Sequence, residues 1–288
     1  RIGGQLVDAL LDRGDEVTIL TRSPDRAPER VNAFRWDPQA EAAPADALTG
    51  RDAVVHLAGE DVGQRWSASV KREIRESREV GTRNLVAGIA AAGTRPPLLV
   101  SASASGYYGP HGDEPIDERA APGDDFLAEV CVVWEREAEA AAELGTRVIR
   151  VRTGIVLDAG GGALQKMLPP FKLGAGGPIA GGRQYMPWIA LDDLVGLYLA
   201  AIDSTSFSGA VNGSAPNPVT NKEFGKALGR ALHRPAVAPV PGFAIKLLFG
   251  EMSQIVTTGV RMVPGRAPEL GYEFQHADLD GALRAALD

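Results

Sequence analysis

Before residue 153, an apolar helical spacing runs into a glycine and then into a short run of buried-strand character three times over. Ile2, Leu6 and Leu10 lead to Arg13-Gly14 and the run 17–20. Leu85, Val86 and Ile89 lead to Gly93 and the run 98–100, and an Ala/Glu-rich stretch leads to Gly145 and the run 148–151. The helical period marks one apolar face, and a glycine after the last turn suits the left-handed position that ends a helix. Short β-branched runs suit strands covered on both faces. A further run, 53–58, precedes a helix expected over 67–92. Helices alternating with buried strands dictate βαβ units, so the expected class is α/β with a doubly wound parallel sheet.

Past about residue 153 the texture changes. Gly154 to Gly182 holds nine glycines in 29 residues, a loop-dominated stretch. Thr220 followed by Glu223 reads as a capping box for a helix carrying Phe224, Leu228 and Leu232, and Leu279, Leu283 and Leu287 line a last amphipathic helix. The expected organisation is a dinucleotide-binding domain over 1–234, with substrate-side loops from about 154, and a smaller C-terminal lobe over 235–288.

Composition excludes several classes. A net charge of −7 without any basic block argues against a nucleic-acid partner. A single cysteine, Cys131, rules out an internal disulfide framework and suits a reducing, cytoplasmic compartment. No apolar run reaches the roughly eighteen residues that would span a bilayer, so no membrane partner is expected. The four histidines, His56, His111, His233 and His276, are far apart with no metal-ligand spacing, so no metal is expected. The expected partner is a small molecule.

Arg1-Ile2-Gly3-Gly4 opens directly into the first helical pattern, and about twenty residues on the next strand ends in Thr21-Arg22. This matches the tail of a Rossmann dinucleotide-binding unit, whose first strand and earlier glycines would precede Arg1. In such a unit the glycine-rich turn lets the backbone approach a pyrophosphate, and the helix N-terminus supplies free N–H groups. Two glycines at a helix start also serve for close packing alone. An NAD site places a carboxylate near the end of that strand for the ribose 2'-hydroxyl. Arg22 stands there instead and suits a 2'-phosphate, so NADP(H) is the expected cofactor, with Asp25 as the nearest opposing charge.

His56-Leu-Ala-Gly-Glu60, Arg65-Trp66, Lys71 with Ser77-Arg78, Ser101-Ala-Ser-Ala-Ser-Gly-Tyr-Tyr-Gly109, Trp134-Glu135, Arg152-Thr-Gly-Ile-Val-Leu157, Gly176-Gly-Pro178, Pro187-Trp-Ile189 and Asn212 to Phe224 follow one another in order. With these the chain resembles the atypical extended short-chain dehydrogenase/reductases, specifically the NADP-dependent nucleoside-diphosphate-sugar epimerase-like family with a small C-terminal domain. The resemblance implies that Gly3, Thr21, Arg22, Leu57, Ala58, Glu73, Arg78 and Val156 contact the cofactor. Leu57, Ala58 and Val156 would also suit sheet core, and Glu73 with Arg78 a solvated ion pair.

The chain departs from the wider superfamily in its acid–base pair. That superfamily sets a tyrosine and a lysine four residues apart on the helix after the fifth strand, where the ammonium lowers the phenol pKa. Here that helix, about 125–144, holds neither, and no Tyr-x-x-x-Lys occurs anywhere. Ser103 matches the superfamily's hydroxyl position, with Ser105 as the alternative, and Tyr107 and Tyr108 are the aromatic acids placed to substitute; packing of the loop explains the tyrosines equally. Arg183, Gln184 and Trp188 are expected near a substrate, and Gly160-Gly-Gly162 could bind an anion at a helix start or be a plain loop. Asp192 suits either a cap for the helix 193–202 or chemistry. Two functions stay open: an NADP-dependent oxidoreductase or epimerase-like enzyme working by hydride transfer on a nucleotide-sugar-like substrate, and a non-catalytic NADP(H)-binding regulator.

Overall fold

The computed structural model describes residues 1–288. Helix α1 (Ile2–Asp12) buries Leu6 and ends at Gly14, whose φ of 92° is the left-handed conformation the sequence calls for. Strands β1 (Thr18–Thr21) and β2 (Asn32–Arg35) pair in parallel, with Thr21 opposite Arg35. After the single turn α2 (Ala45–Leu48) come β3 (Val54–His56), α3 (Ala68–Ala91), β4 (Leu98–Ala104), α4 (Phe126–Glu139) and β5 (Arg147–Thr153). Then follow β6 (Ile155–Leu157), α5 (Gly162–Lys172), β7 (Tyr185–Met186), β8 (Trp188–Ala190), α6 (Leu191–Asp203) and β9 (Gly209–Gly213). The chain closes with β10 (Val219–Thr220), α7 (Asn221–Ala231), α8 (Gly242–Phe249), α9 (Gln254–Thr257), α10 (Arg266–Glu269) and α11 (Leu279–Leu287).

The main ladder is β3-β4-β5-β9, parallel throughout, while β1-β2, β6-β8 and the antiparallel β7-β10 form separate ladders. Strand alternation splits the apolar side chains between two layers. Leu98, Val100, Ile149, Val151 and Val211 face α1 and α6 through Leu6, Leu194 and Tyr198. Leu99, Val148 and Val54 face α3 and α4 through Leu85, Ile89 and Ala138. This two-sided covering is the Rossmann-type α/β arrangement, and each large side chain so enclosed contributes about 1.5–3 kcal/mol.

Three local expectations are corrected. Gly93 is not left-handed, because α3 stops in extended backbone at Ala92 and the Gly93 N–H is satisfied by Thr49 Oγ1 at 3.1 Å. Asp192 does not cap its helix: α6 begins at Leu191 with Ala190 at the cap, which sets Asp192 in the first turn. The helix expected over 125–144 tightens after Glu139 into a 3-10 segment, Ala140–Leu144, before left-handed Gly145.

The C-terminal elements share core with the rest. Leu279, Ala282 and Leu283 of α11 pack with Leu164, Trp188, Phe224 and Leu228, and Ala267 joins the α1–α6 layer. The buried Asp193 carboxylate accepts from the Gln275 and His276 backbone N–H groups at 2.7 and 2.9 Å, tying α6 to the segment before α11. No helix is long and apolar enough to cross a membrane, and no group of three or more His, Cys, Asp or Glu is placed to hold a metal.

Candidate active site

The C-terminal ends of the parallel strands and the start of α1 meet at one crevice, the place where open α/β sheets bind ligands. Gly3, in the first turn of α1, lies so close to the loop after β3 that a Cβ on it would sit 3.4 Å from Leu57 Cδ1. The first turn carries neither a capping side chain nor an acidic residue, so its N–H groups are free for an anion. Arg1 pairs with Asp158 (2.5 Å), which brings the Gly160–Gly162 loop beside the same helix start. Lys166 of α5 reaches back to Asp61 and the Gly63 carbonyl, at 3.0 and 2.9 Å, so α5 also closes on the loop after β3.

Thr21 ends β1, and its Oγ1 accepts from the Ser23 N–H at 3.2 Å; Arg22 is exposed. Leu57, Ala58 and Val156 are half-buried, and Leu57 and Val156 pack on the α1–α6 layer. Glu73 and Arg78 do not pair: Glu73 accepts from Gln39 Nε2 at 2.8 Å, while Arg78 turns inward.

Arg78 is the informative member. Its guanidinium is largely enclosed, meets no carboxylate, and donates only to the Ile74 carbonyl at 3.1 Å. It lies 4.9 Å over the Trp134 ring and against Gly59, where a Cβ would come within 3.0 Å of Arg78 Cζ. Burial pulls its pKa down, opposed by Cys131, Glu60 and Asp61 nearby. Trp134 Nε1 is a buried donor with no partner at all. An enclosed guanidinium with most of its donors unmet, beside a glycine that leaves it room, fits a site that receives an anionic group from outside the chain. NADP(H) has such groups, so the crevice fits it.

The second part of the site is a polar row. The ladder register aligns Ser103, Arg152 and Asn212 across β4, β5 and β9, on the face toward α4. There Glu135 accepts from Ser103 Oγ at 2.6 Å and from Arg152 Nε and Nη2 at 2.8 and 2.9 Å. Arg152 Nη1 donates to the Tyr108 hydroxyl at 3.0 Å, which donates to Asn212 Oδ1 at 2.7 Å. Asn212 Nδ2 donates to the Val263 carbonyl, so the chain of bonds runs into the C-terminal segment. Burial pushes the Tyr108 phenol up to about 12, outweighing the cationic Arg152 beside it. Tyr107 differs: its ring stacks at 3.4 Å on the Arg152 guanidinium and stands edge-on to Tyr108, and its hydroxyl makes no hydrogen bond within the chain.

The face of α4 toward the loop after β4 carries Leu127 and Cys131, both within 4 Å of where a Gly106 Cβ would stand. Burial drives the Cys131 thiol up to about 12, so it stays protonated. The structure brings Ser103, Tyr107 and Tyr108 together but not the residues expected near a substrate. Arg183 is exposed, Gln184 Nε2 donates to the Ile179 and Val256 carbonyls, and Trp188 is fully enclosed with its N–H on the Asn217 carbonyl. Trp188 is thus a core side chain out of reach of any ligand. Glu135, Arg152 and Asn212 carry no assigned role in the sequence reading. An arginine at an inward position of a buried strand was their available signal, since it demands a carboxylate in the same layer.

Residues 1–212 match the model of the NAD dependent epimerase/dehydratase family, and residues 240–286 match a domain of unknown function, DUF1731. The chain is 41% identical over 292 residues to the chloroplastic homolog of epimerase family protein SDR39U1 from Arabidopsis thaliana, covering 99% of this chain and 84% of that one. The crystal structure of human epimerase family protein SDR39U1 (isoform 2) with NADPH superposes with a TM-score of 0.89 at 36% identity, over 100% of this chain and 96% of that one. A nucleoside-diphosphate sugar epimerase from Corynebacterium glutamicum superposes with a TM-score of 0.79 at 35% identity, over 100% of this chain and 56% of the other.

Proposed function

The chain belongs to the NAD dependent epimerase/dehydratase family, and from that premise we propose that it binds NADP(H) and acts as an oxidoreductase or epimerase-like enzyme on a small, nucleotide-sugar-like substrate. The observation that carries the reading is Arg78, enclosed in the crevice with no anion of its own. Gly3 and the free N–H groups of α1 would take the pyrophosphate, Thr21 and Arg22 the 2'-phosphate end, and Leu57, Ala58 and Val156 the apolar flank, with Arg78 reaching in from α3. Glu73 lies on the same helix, already bonded to Gln39.

When bound, the nicotinamide gives or accepts a hydride. In the reducing direction the substrate carbonyl carbon gains that hydride while its oxygen takes a proton, which returns a carbinol. Tyr107 is the group assigned to that proton, because its hydroxyl is uncommitted whereas Tyr108 is locked between Arg152 and Asn212. Ser103, whose proton is held by Glu135, would accept a hydrogen bond from the carbinol hydroxyl in the reverse, oxidising direction and so orient it. The 154–182 loops and the 235–288 lobe would close the substrate side.

A second reading, NADP(H) binding without turnover, is favoured by Leu127 and Cys131 on the α4 face and by the lack of any Tyr-x-x-x-Lys. Titration of the full-length protein with NADPH and NADH by fluorescence, followed by a screen of carbonyl compounds and nucleotide sugars for cofactor oxidation or epimerisation, separates the two. Turnover with any substrate class supports the first reading; tight NADPH binding without turnover supports the second. Binding of neither dinucleotide refutes both.

A further inference from the structure

Residues 259–263 tie the loop after β4 to β7 and to the C-terminal end of β9. The Gly259 carbonyl accepts from the His111 N–H at 2.8 Å, and Ile116 exchanges backbone hydrogen bonds with Arg261 and Val263, both at 2.9 Å. From the other side Ser214 Oγ donates to the Met262 carbonyl at 3.3 Å, and Asn212 Nδ2 to that of Val263 at 2.9 Å. Gly259 lies so close to the Tyr185 carbonyl that a Cβ would not fit. The stretch stands over the strand ends next to the polar row, bonded to the loop that carries Tyr107.

Val260 and Met262 turn inward and pack with Tyr108 and Ile116. Alternation sends Arg261, between them, the other way, and its Cζ lies 5.4 Å over the Tyr185 ring. This half-buried side chain meets no carboxylate: Nη1 donates to the Asp113 carbonyl at 3.0 Å, Nη2 makes no hydrogen bond, and Nε is buried with no partner. The neighbouring Glu114 carboxylate is taken by His111 at 2.9 Å. Arg150, also half-buried, faces both Glu135 and Glu139, at 3.6 and 3.4 Å. The Tyr185 hydroxyl makes no hydrogen bond within the chain either. Donors left unmet at a partly enclosed cation cost the free protein stability, so their retention at the crevice calls for a cause.

We infer that Arg261, with the Tyr185 hydroxyl beside it, is the subsite for an anionic group of the substrate, a phosphate or diphosphate ester; this deepens the substrate reading above and rests on it. Nε and Nη2 are the pair of donors that Arg152 presents to Glu135, and at Arg261 both are open. A phosphate matches that planar fork with charge-assisted hydrogen bonds, while the Asp113 carbonyl, by keeping Nη1, fixes the plane in which the fork lies. An uncharged carbonyl compound gains nothing comparable there. The subsite is built from β7 and the 259–263 stretch, elements separate from those that carry Gly3, Arg22, Leu57 and Arg78.

The test is titration of inorganic pyrophosphate and uridine diphosphate, with uridine as the uncharged control, on the NADPH-saturated unsubstituted protein and on Arg261→Gln. Both anions are expected to bind the unsubstituted protein and to bind Arg261→Gln about tenfold more weakly, with NADPH affinity within about twofold. Retained NADPH affinity is the folding control. Where Arg261→Gln loses it, Tyr185→Phe, which deletes only a hydroxyl, takes its place and should weaken the anions about threefold. Anions that bind the variant as tightly as the unsubstituted protein, or that do not bind the NADPH-loaded protein at all, overturn the inference and leave the cofactor reading standing. A protein that binds neither dinucleotide overturns the cofactor reading, and the same anion titrations on the unliganded protein then decide on Arg261.

Discussion

Ser103 donates its hydroxyl proton to Glu135 across 2.6 Å, and the same carboxylate takes two guanidinium hydrogens from Arg152. The trio is enclosed, so its members are not equivalent when removed. Ser103→Ala deletes one hydrogen bond and should cost about 1 kcal/mol. Arg152→Met leaves the buried carboxylate with only Ser103 and the more distant Arg150 Nη1, at 3.6 Å, and should cost about 3 kcal/mol, much of it recovered in Arg152→Met/Glu135→Leu. Urea unfolding of the three variants checks the order; equal small losses would mean that Glu135 finds other partners.

The adjacent tyrosines separate by the same logic. Tyr108→Phe leaves Asn212 Oδ1 and Arg152 Nη1 short of a partner and should cost about 1–2 kcal/mol. Tyr107→Phe removes a hydroxyl with no bond in the chain, so stability should hold within about 0.5 kcal/mol. If Tyr107 supplies the proton, its loss should slow turnover about 100-fold or more. Denaturation together with steady-state rates reads both effects, and unchanged rates in Tyr107→Phe would remove it from the chemistry.

The sheet could be read from the sequence because burial on both faces forces near-continuous apolar runs, and 98–100 and 148–151 are such runs. Of the candidate crevice, Gly3 and Arg22 are singled out by spacing, and Arg78 only by the family resemblance. The polar row was not readable. Ser103, Arg152 and Asn212 are more than 40 residues apart from one another in sequence and become neighbours only through parallel register, which no local pattern encodes. Trp188 misled for the opposite reason: an aromatic in a glycine-rich region suits a binding loop, yet here it fills the core between α7 and α11.

Arg78 sets stability against binding. With only the Ile74 carbonyl to bond, the enclosed cation costs desolvation that the free protein does not recover. Arg78→Met, which keeps the stem over Trp134, should therefore leave the free protein as stable or up to about 1 kcal/mol more so. NADPH affinity should fall about tenfold or more. Thermal unfolding with and without NADPH shows both: a raised or equal midpoint alone, and a smaller ligand-induced rise. A destabilised free protein would instead make Arg78 a structural residue.

His56 supplies a pH dependence of known sign. Its ring is enclosed at the end of β3, with Nε2 3.0 Å from Thr82 Oγ1, and burial, helped by the Arg78 charge, lowers its pKa to about 4 from an ordinary value near 6.5. The fold thus holds the ring neutral, while the unfolded chain protonates it on the way down from pH 7. The stabilisation is complete above about pH 6.5, shrinks as the pH falls, and is lost as the pH passes through about 4. The full difference is about 3 kcal/mol. Carboxylates titrate mostly below this window, so the comparison with His56→Gln isolates the ring. Urea midpoints at several pH values between 7 and 4.5 should fall more steeply for the unsubstituted protein than for the variant, and parallel profiles would show that the ring is not held neutral.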